Sequence, residues 1–252
     1  MTQQGGVEES APPTVWRKIK MNDSVINAER VSTSDRVPFK CTGCGKCCKH
    51  VRQSVPVESL DMYRIAKHLR SIGLQFDGIE ELINRFMELA LLDECGYFVL
   101  MLKVAGPKDA CIFLTDDNRC SIHEANPRAC RMYPFVADPS EGDGFRYLVS
   151  REYLHHFKGP GVHVRNWLKR YFIVEDREFL RADMGAAREI AALLRQIPET
   201  EKATALLHFM RCKYTEYDLD RPFMEQYLRN NEKLLTILRR MADNRKGSQD
   251  YE

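Results

Sequence analysis

The chain of 252 residues lacks an excess of charge of either sign: 38 lysines and arginines against 36 aspartates and glutamates leave +2 with the histidines neutral. That balance provides no extended basic face to track a phosphate backbone, so no nucleic-acid partner is expected. Long apolar runs are also missing. None approaches the ~20 residues that a membrane-spanning helix needs, and no membrane partner is expected. The first stretch, MTQQGGVEESAPPTVWRKIK, has no basic start followed by an apolar segment, so it does not read as a secretory signal and a cytoplasmic location follows. No Gly-rich phosphate loop, nucleophile elbow or Ser/His/Asp arrangement stands out. With 44% hydrophobic and 29% charged residues, the composition is that of a globular chain that can bury a core without cross-links.

What the chain does have is cysteine. There are nine, an odd number that suits a full disulfide framework poorly. In a reducing compartment, dense cysteines read as metal-binding or catalytic. Four of them fall in Phe39-Lys-Cys41-Thr-Gly-Cys44-Gly-Lys-Cys47-Cys48-Lys-His50, and three more follow as Cys111, Cys120-Ser-Ile-His123 and Cys130-Arg-Met-Tyr-Pro134. Cys95 and Cys212 stand apart and read as small buried hydrophobes.

Periodicity and punctuation place these groups on an α+β fold: a small cysteine-rich core with short strands, followed by a mainly helical C-terminal section. The division expected is a flexible arm over 1–36, a cysteine-cluster domain over 37–160, a helical section over 161–243 and a flexible tail over 244–252. Residues 1 to about 14, polar with Gly5, Gly6, Pro12 and Pro13, read as a disordered lead-in, and 15–38 show no clear period and read as irregular, anchored by Trp16. Helices are expected at about 57–71 and, capped by Asp77, at 78–92. Strands are expected at 96–104, at Cys111–Thr115 and from Phe145 to Leu154. Asp116–Arg119 reads as a hairpin-like turn, and Asn126-Pro127 as the entry to a short helix carrying Cys130. Further helices are expected at 162–171, 176–196, 199–212 and 222–242.

A Cys-x-x-Cys pair chelates because a short turn brings two sulfurs together, and Gly43 and Gly45 let this backbone curl. Cys41, Cys44 and Cys47 form two overlapping clips. Three close thiolates and one distant one form the ligand scheme of bacterial [4Fe–4S] loops. Tetrahedral zinc takes the same soft donors, and spacing alone does not separate the two. The chain departs from a ferredoxin, because Cys130 precedes Arg131 rather than proline. It also departs from the radical-SAM arrangement, which needs three residues between its first two cysteines. Seven thiols, Cys41, Cys44, Cys47, Cys48, Cys111, Cys120 and Cys130, with His123 as an eighth donor, could fill two four-coordinate sites. Adjacent Cys47 and Cys48 point apart, which fits a binuclear centre or one cluster with a spare thiol. Lys40, Lys46, Lys49, Arg119, Arg128 and Arg131 either offset thiolate charge or form a solvated basic surface.

Taken together, Cys41-x2-Cys44-x2-Cys47-Cys48, Cys111-Ile-Phe-Leu, Cys120-x-Ile-His123 and Cys130-Arg-x-Tyr-Pro134 resemble the YkgJ-type cysteine-cluster family. Its members are labelled zinc- or iron-chelating and often Fe–S-cluster proteins or oxidoreductases. The resemblance covers about 39–135 and implies metal chelation by these seven cysteines more firmly than any reaction. Asn126-Pro127 stands where the family usually has Arg-Pro, and His123 where it often has tyrosine. His155-His156 occupies a region where many members carry a further cysteine, and either histidine could replace it as a ligand.

The reading expected is therefore a protein holding an iron–sulfur cluster, [4Fe–4S] ahead of [2Fe–2S], in a redox or cluster-dependent role. The alternative is a Zn2+-stapled interaction or metal-handling module without catalysis. A cluster-dependent oxidoreductase or protein-modifying enzyme is a further possibility, with the helical section contacting a protein partner.

Overall fold

A computed structural model describes residues 28–140 and 144–249 of the chain. The expected lead-in over 1–14, the Trp16 anchor and the last three residues of the tail lie outside them. The fold is α+β; the described residues form four small antiparallel sheets and seven α-helices.

The first sheet orders β1 (Ala28–Val31), β9 (Phe145–Ser150) and β8 (Phe135–Pro139); a second pairs β2 (Arg36–Pro38) with β10 (Gly161–His163). Residues 28–38 are thus not the irregular arm expected from their lack of period. Their ladder partners come from β9 and β10, over a hundred positions away, and that pairing leaves no local signature. The third sheet orders β3 (Pro56–Val57), β5 (Phe98–Leu102) and β4 (Met87–Leu91); the fourth pairs β6 (Val104–Ala105) with β7 (Ala110–Cys111).

Helix α1 (Ser59–Ser71) forms as expected but starts two residues later, because Val57 is in β3. Helix α2 (Ile79–Phe86) is shorter than expected, because Met87–Leu91 leaves the helix to pair with β5. Met-Glu-Leu-Ala-Leu favours helix by propensity, but the edge of β5 needs a partner and the tertiary pairing wins. Its cap also differs from expectation. Gly78, not Asp77, occupies the N-cap, and the Asp77 N–H donates to Glu81 Oε2 at 3.0 Å. The strand expected over Cys111–Thr115 shrinks to β7 and a bridge between Leu114 and Cys120. Helix α3 (Arg128–Met132) carries Cys130, as Asn126-Pro127 suggested.

The C-terminal section comprises α4 (Val164–Tyr171), α5 (Val174–Gln196), α6 (Glu199–Met210) and α7 (Phe223–Gln249), with a π-helical turn at Arg211–Thr215. Helix α7 continues through residues 244–249, which the sequence assigned to the tail. Once a helix is nucleated, each added residue contributes a hydrogen bond, and no proline interrupts it there.

One apolar core runs from Val37 to Ala242. Its largest fully buried members are aromatic: Phe135, Phe172, Phe179, Phe209, Phe223 and Tyr227. Phe98 of β5 meets Phe209 of α6 at 4.6 Å between ring centroids, and Phe179 of α5 meets Tyr227 of α7 at 5.0 Å. Tyr63 of α1 packs on Phe223 at 5.3 Å and donates its hydroxyl proton to the Arg221 carbonyl at 2.6 Å. Burying such a ring stabilises by about 1.5–3 kcal/mol, so the helices and the cysteine-bearing half share one source of stability.

Candidate metal centre

The first cysteine loop is held at both ends. Phe39 is buried and packs edge-on against Tyr133, His156 and Trp167, with centroids 5.7, 5.9 and 5.4 Å away. The Lys40 N–H donates to the His156 carbonyl at 2.8 Å. Gly159 permits this approach, since a Cβ there would lie 2.5 Å from the Lys40 Cβ and 3.2 Å from its backbone nitrogen. At the far end, the His50 and Val51 N–H groups donate to the Lys108 and Asp109 carbonyls at 2.7 and 3.1 Å, beside Cys111. In between, Gly43 and Gly45 take φ of 64° and 65°, the left-handed region glycine enters without strain. They turn the chain into a single 3₁₀ turn at Lys46–Cys48.

The second group reaches the same place by two routes. The Asp116–Arg119 turn closes as expected, with the Thr115 N–H donating to the Arg119 carbonyl at 2.9 Å, and returns Cys120 opposite Leu114. Lys49 reaches across to Asn118 Oδ1 at 2.5 Å, tying the two cysteine loops together. Cys130 arrives on α3, which ion pairs hold in place.

Arg128 and Arg131 pair with carboxylates rather than forming a solvated surface. Arg128 donates from Nε and Nη2 to Glu58 at 2.9 and 2.7 Å, and its backbone N–H donates to Asp61 Oδ1 at 2.9 Å. Arg131 bridges Asp61 at 3.1 Å and Asp176, which also accepts from Arg64 at 2.6 Å. Asp61 and Asp176 each sit in the first turn of their helix. Each turns its other oxygen back to an N-terminal N–H, that of Glu58 at 3.4 Å and that of Ile173 at 3.1 Å. The first turns of α1 and α5 therefore clamp the helix that presents Cys130. Glu58, Asp61 and Asp176 were not singled out from the sequence; the Glu58-x-x-Asp61 spacing just ahead of α1 was the available signal. Lys40, Lys46 and Arg119 are exposed.

All seven cysteines of the two motifs, Cys41, Cys44, Cys47, Cys48, Cys111, Cys120 and Cys130, line one cavity of about 1410 Å³, with His123 at its exposed rim. Cys95 and Cys212 are buried away from it. The sulfurs fall into two environments. Cys47 and Cys48 lie 3.9 Å apart. Cys47, Cys111, Cys120 and Cys130 lie close enough that ionising some opposes ionising others. Burial, then repulsion by Cys111, Cys120 and Cys47, pushes the Cys130 thiol far up. Burial pushes Cys111 up to about 11, with Cys120 and Cys47 adding to it, and burial likewise raises Cys120. Hydrogen bonding within the Cys47–Cys48 pair favours ionising Cys47, at about 7, and holds Cys48 protonated. A crowd of thiols that resists ionisation is the donor set a soft cation fits: it neutralises the thiolates and displaces their protons.

Cys44 behaves differently. Its Sγ lies 3.4 Å from His155 Nε2 and 3.3 Å from His156 Nε2. Burial raises this thiol, but hydrogen bonds from His155, the Lys46 backbone and His156 outweigh it and bring it down to about 6. His156 is buried, and its Nδ1 lies 3.4 Å from the Tyr133 hydroxyl.

Compared with protein-family models, residues 40–153 match the CxxCxxCC model, described as "Putative zinc- or iron-chelating domain". That span contains all seven motif cysteines and stops short of His155. No curated protein and no solved structure matches the chain.

Proposed function

We propose, from the match of residues 40–153 to the model described as "Putative zinc- or iron-chelating domain", that this chain holds an iron–sulfur centre in the cavity between its two cysteine loops and uses it in a redox or cluster-dependent role. One observation carries the proposal: Cys47, Cys111, Cys120 and Cys130, from both cysteine groups, line one cavity, with Cys48 Sγ 3.9 Å from Cys47 Sγ. Four thiolates are the usual ligands of both [4Fe–4S] and [2Fe–2S] clusters. A bound cluster would supply an electron site; the chain's own contribution is to hold the sulfurs, fix α3 through the clamp on Arg128 and Arg131, and limit water with Phe113 and Tyr133 at the wall.

The ligand set proposed for the cluster is Cys47, Cys111, Cys120 and Cys130, with Cys48 able to replace a neighbour. Cys41 and Cys44 lie outside this proposed set, and His123, exposed at the rim, is proposed as a bystander. The competing reading is zinc on the same thiols, which suit it equally.

Anaerobic purification with iron, zinc and sulfide analysis and a visible spectrum separates the readings. We expect a brown protein with acid-labile sulfide whose broad absorbance dithionite bleaches. Colourless protein carrying zinc in stoichiometric amount, without sulfide, eliminates the iron–sulfur reading. Cys→Ser changes at 47, 111, 120 and 130 should each lower the iron content, whereas His123→Ala should leave it unchanged.

A further inference from the structure

We infer that Cys44, His155 and His156 form a second, mononuclear site for a zinc-class divalent cation, chemically distinct from the all-thiol set proposed in the same cavity. The inference rests on the reading that the cavity chelates metal, and adds a site made partly of residues beyond the matched segment.

The geometry comes first. The one sulfur and two ring nitrogens lie within 4.8 Å of one another, and the two S···N separations are 3.4 and 3.3 Å. A tetrahedral zinc ion with Zn–S near 2.3 Å and Zn–N near 2.0–2.1 Å places sulfur and nitrogen roughly 3.6 Å apart. A shift of a few tenths of an ångström therefore admits the ion.

The second argument is orientation. A metal-bound histidine usually donates its other ring N–H to a fixed acceptor, which sets the tautomer and the ring angle. His156 has that partner in place. Its Nδ1 faces the Tyr133 hydroxyl at 3.4 Å, while Nε2 faces Cys44. Phe39, Tyr133 and Tyr153 pack around the ring with centroids 5.9, 5.9 and 6.0 Å away, so it cannot turn freely. His155 stands beside it, ring centroids 4.1 Å apart.

The third argument is donor chemistry. One thiolate with two imidazoles is a borderline set that suits zinc, whereas an all-thiol set suits iron–sulfur clusters as well. Three protein donors with one remaining position is the ligand count of a catalytic rather than a structural zinc site.

The test uses the full chain, expressed with iron and zinc supplied and purified anaerobically, with metals counted and zinc-edge X-ray absorption recorded. Wild-type protein should hold zinc with both sulfur and nitrogen in its first shell. Cys44→Ser, His155→Ala and His156→Asn should each remove about one equivalent of zinc and leave iron and sulfide at wild-type levels. Cys130→Ser should do the reverse. His155 is only half-buried, so His155→Ala keeps the result readable if the change at buried His156 impairs folding. Wild-type protein lacking zinc, or His155→Ala protein with the wild-type zinc content and first shell, overturns this site and leaves the cluster reading intact. Loss of zinc on His155→Ala in a protein that holds no sulfide does the opposite: the second site stands and the iron–sulfur reading falls.

Discussion

At the scale of single residues, the centre depends on a few places where nothing larger than glycine fits. Gly45 combines a left-handed φ of 65° with a neighbour: a Cβ would lie 2.9 Å from the Asn118 Cβ. Gly73 has φ of 92° and nothing within 4 Å. Alanine at either position should cost about 1–2 kcal/mol through backbone strain. Only Gly45→Ala should also push the first cysteine loop away from the 115–119 turn, and so lower the bound metal. Denaturant melts and metal analysis of the two variants check this; equal metal content in both would show that the contact with Asn118 does not position the loop. The glycines were visible in the sequence as permission to turn. Which of them meets a neighbour was not, since Asn118 lies more than seventy positions away.

At the scale of elements, α3 is too short to hold itself in place. Five residues cannot sustain a helix by internal hydrogen bonds, so the ion pairs to α1 and α5 fix it. The Arg128–Glu58 pair is mostly buried, with side chains 13% and 11% exposed. Removing one partner of such a pair leaves a buried charge alone and costs about 3–5 kcal/mol. Arg128→Met should therefore unfold at much lower urea concentration than wild type. Pairing it with Glu58→Leu should recover much of the loss, because both charges then leave together. A double variant no more stable than Arg128→Met would refute the pairing as the source of the effect. The short helix after Asn126-Pro127 was legible in the sequence. The role of its arginines was not, because a charge beside cysteines reads the same whether it faces a thiol or a carboxylate on another helix.

For the whole molecule, the cysteine-bearing half and the C-terminal helices share one core, with Phe98 against Phe209 and Tyr63 against Phe223. Unfolding should be cooperative across both. In a Trp16→Phe background, fluorescence of Trp167 on α4, which donates to the Met132 carbonyl at 3.0 Å and packs on Phe39, reports on the packing around the cysteine-bearing half. Far-ultraviolet circular dichroism, dominated by α5, α6 and α7, reports on the C-terminal helices. The two urea transitions should coincide, and removing metal with a chelator should shift both to lower urea together, since metal binding contributes folding free energy. Two separated transitions would show independent halves. The sequence by itself determined the candidate donors: seven thiols in two groups, too many and too regularly spaced to be core filling. It also determined the long helices, whose apolar period is local. Tertiary structure alone decided how these side chains are brought together on one cavity. Strands at 28–38 find their partners across the chain, Gly159 brings Lys40 against its own loop, and two histidines beyond the cysteine motifs close on Cys44. Such long-range approaches depend on backbone pairing and packing between distant segments, which no local spacing records.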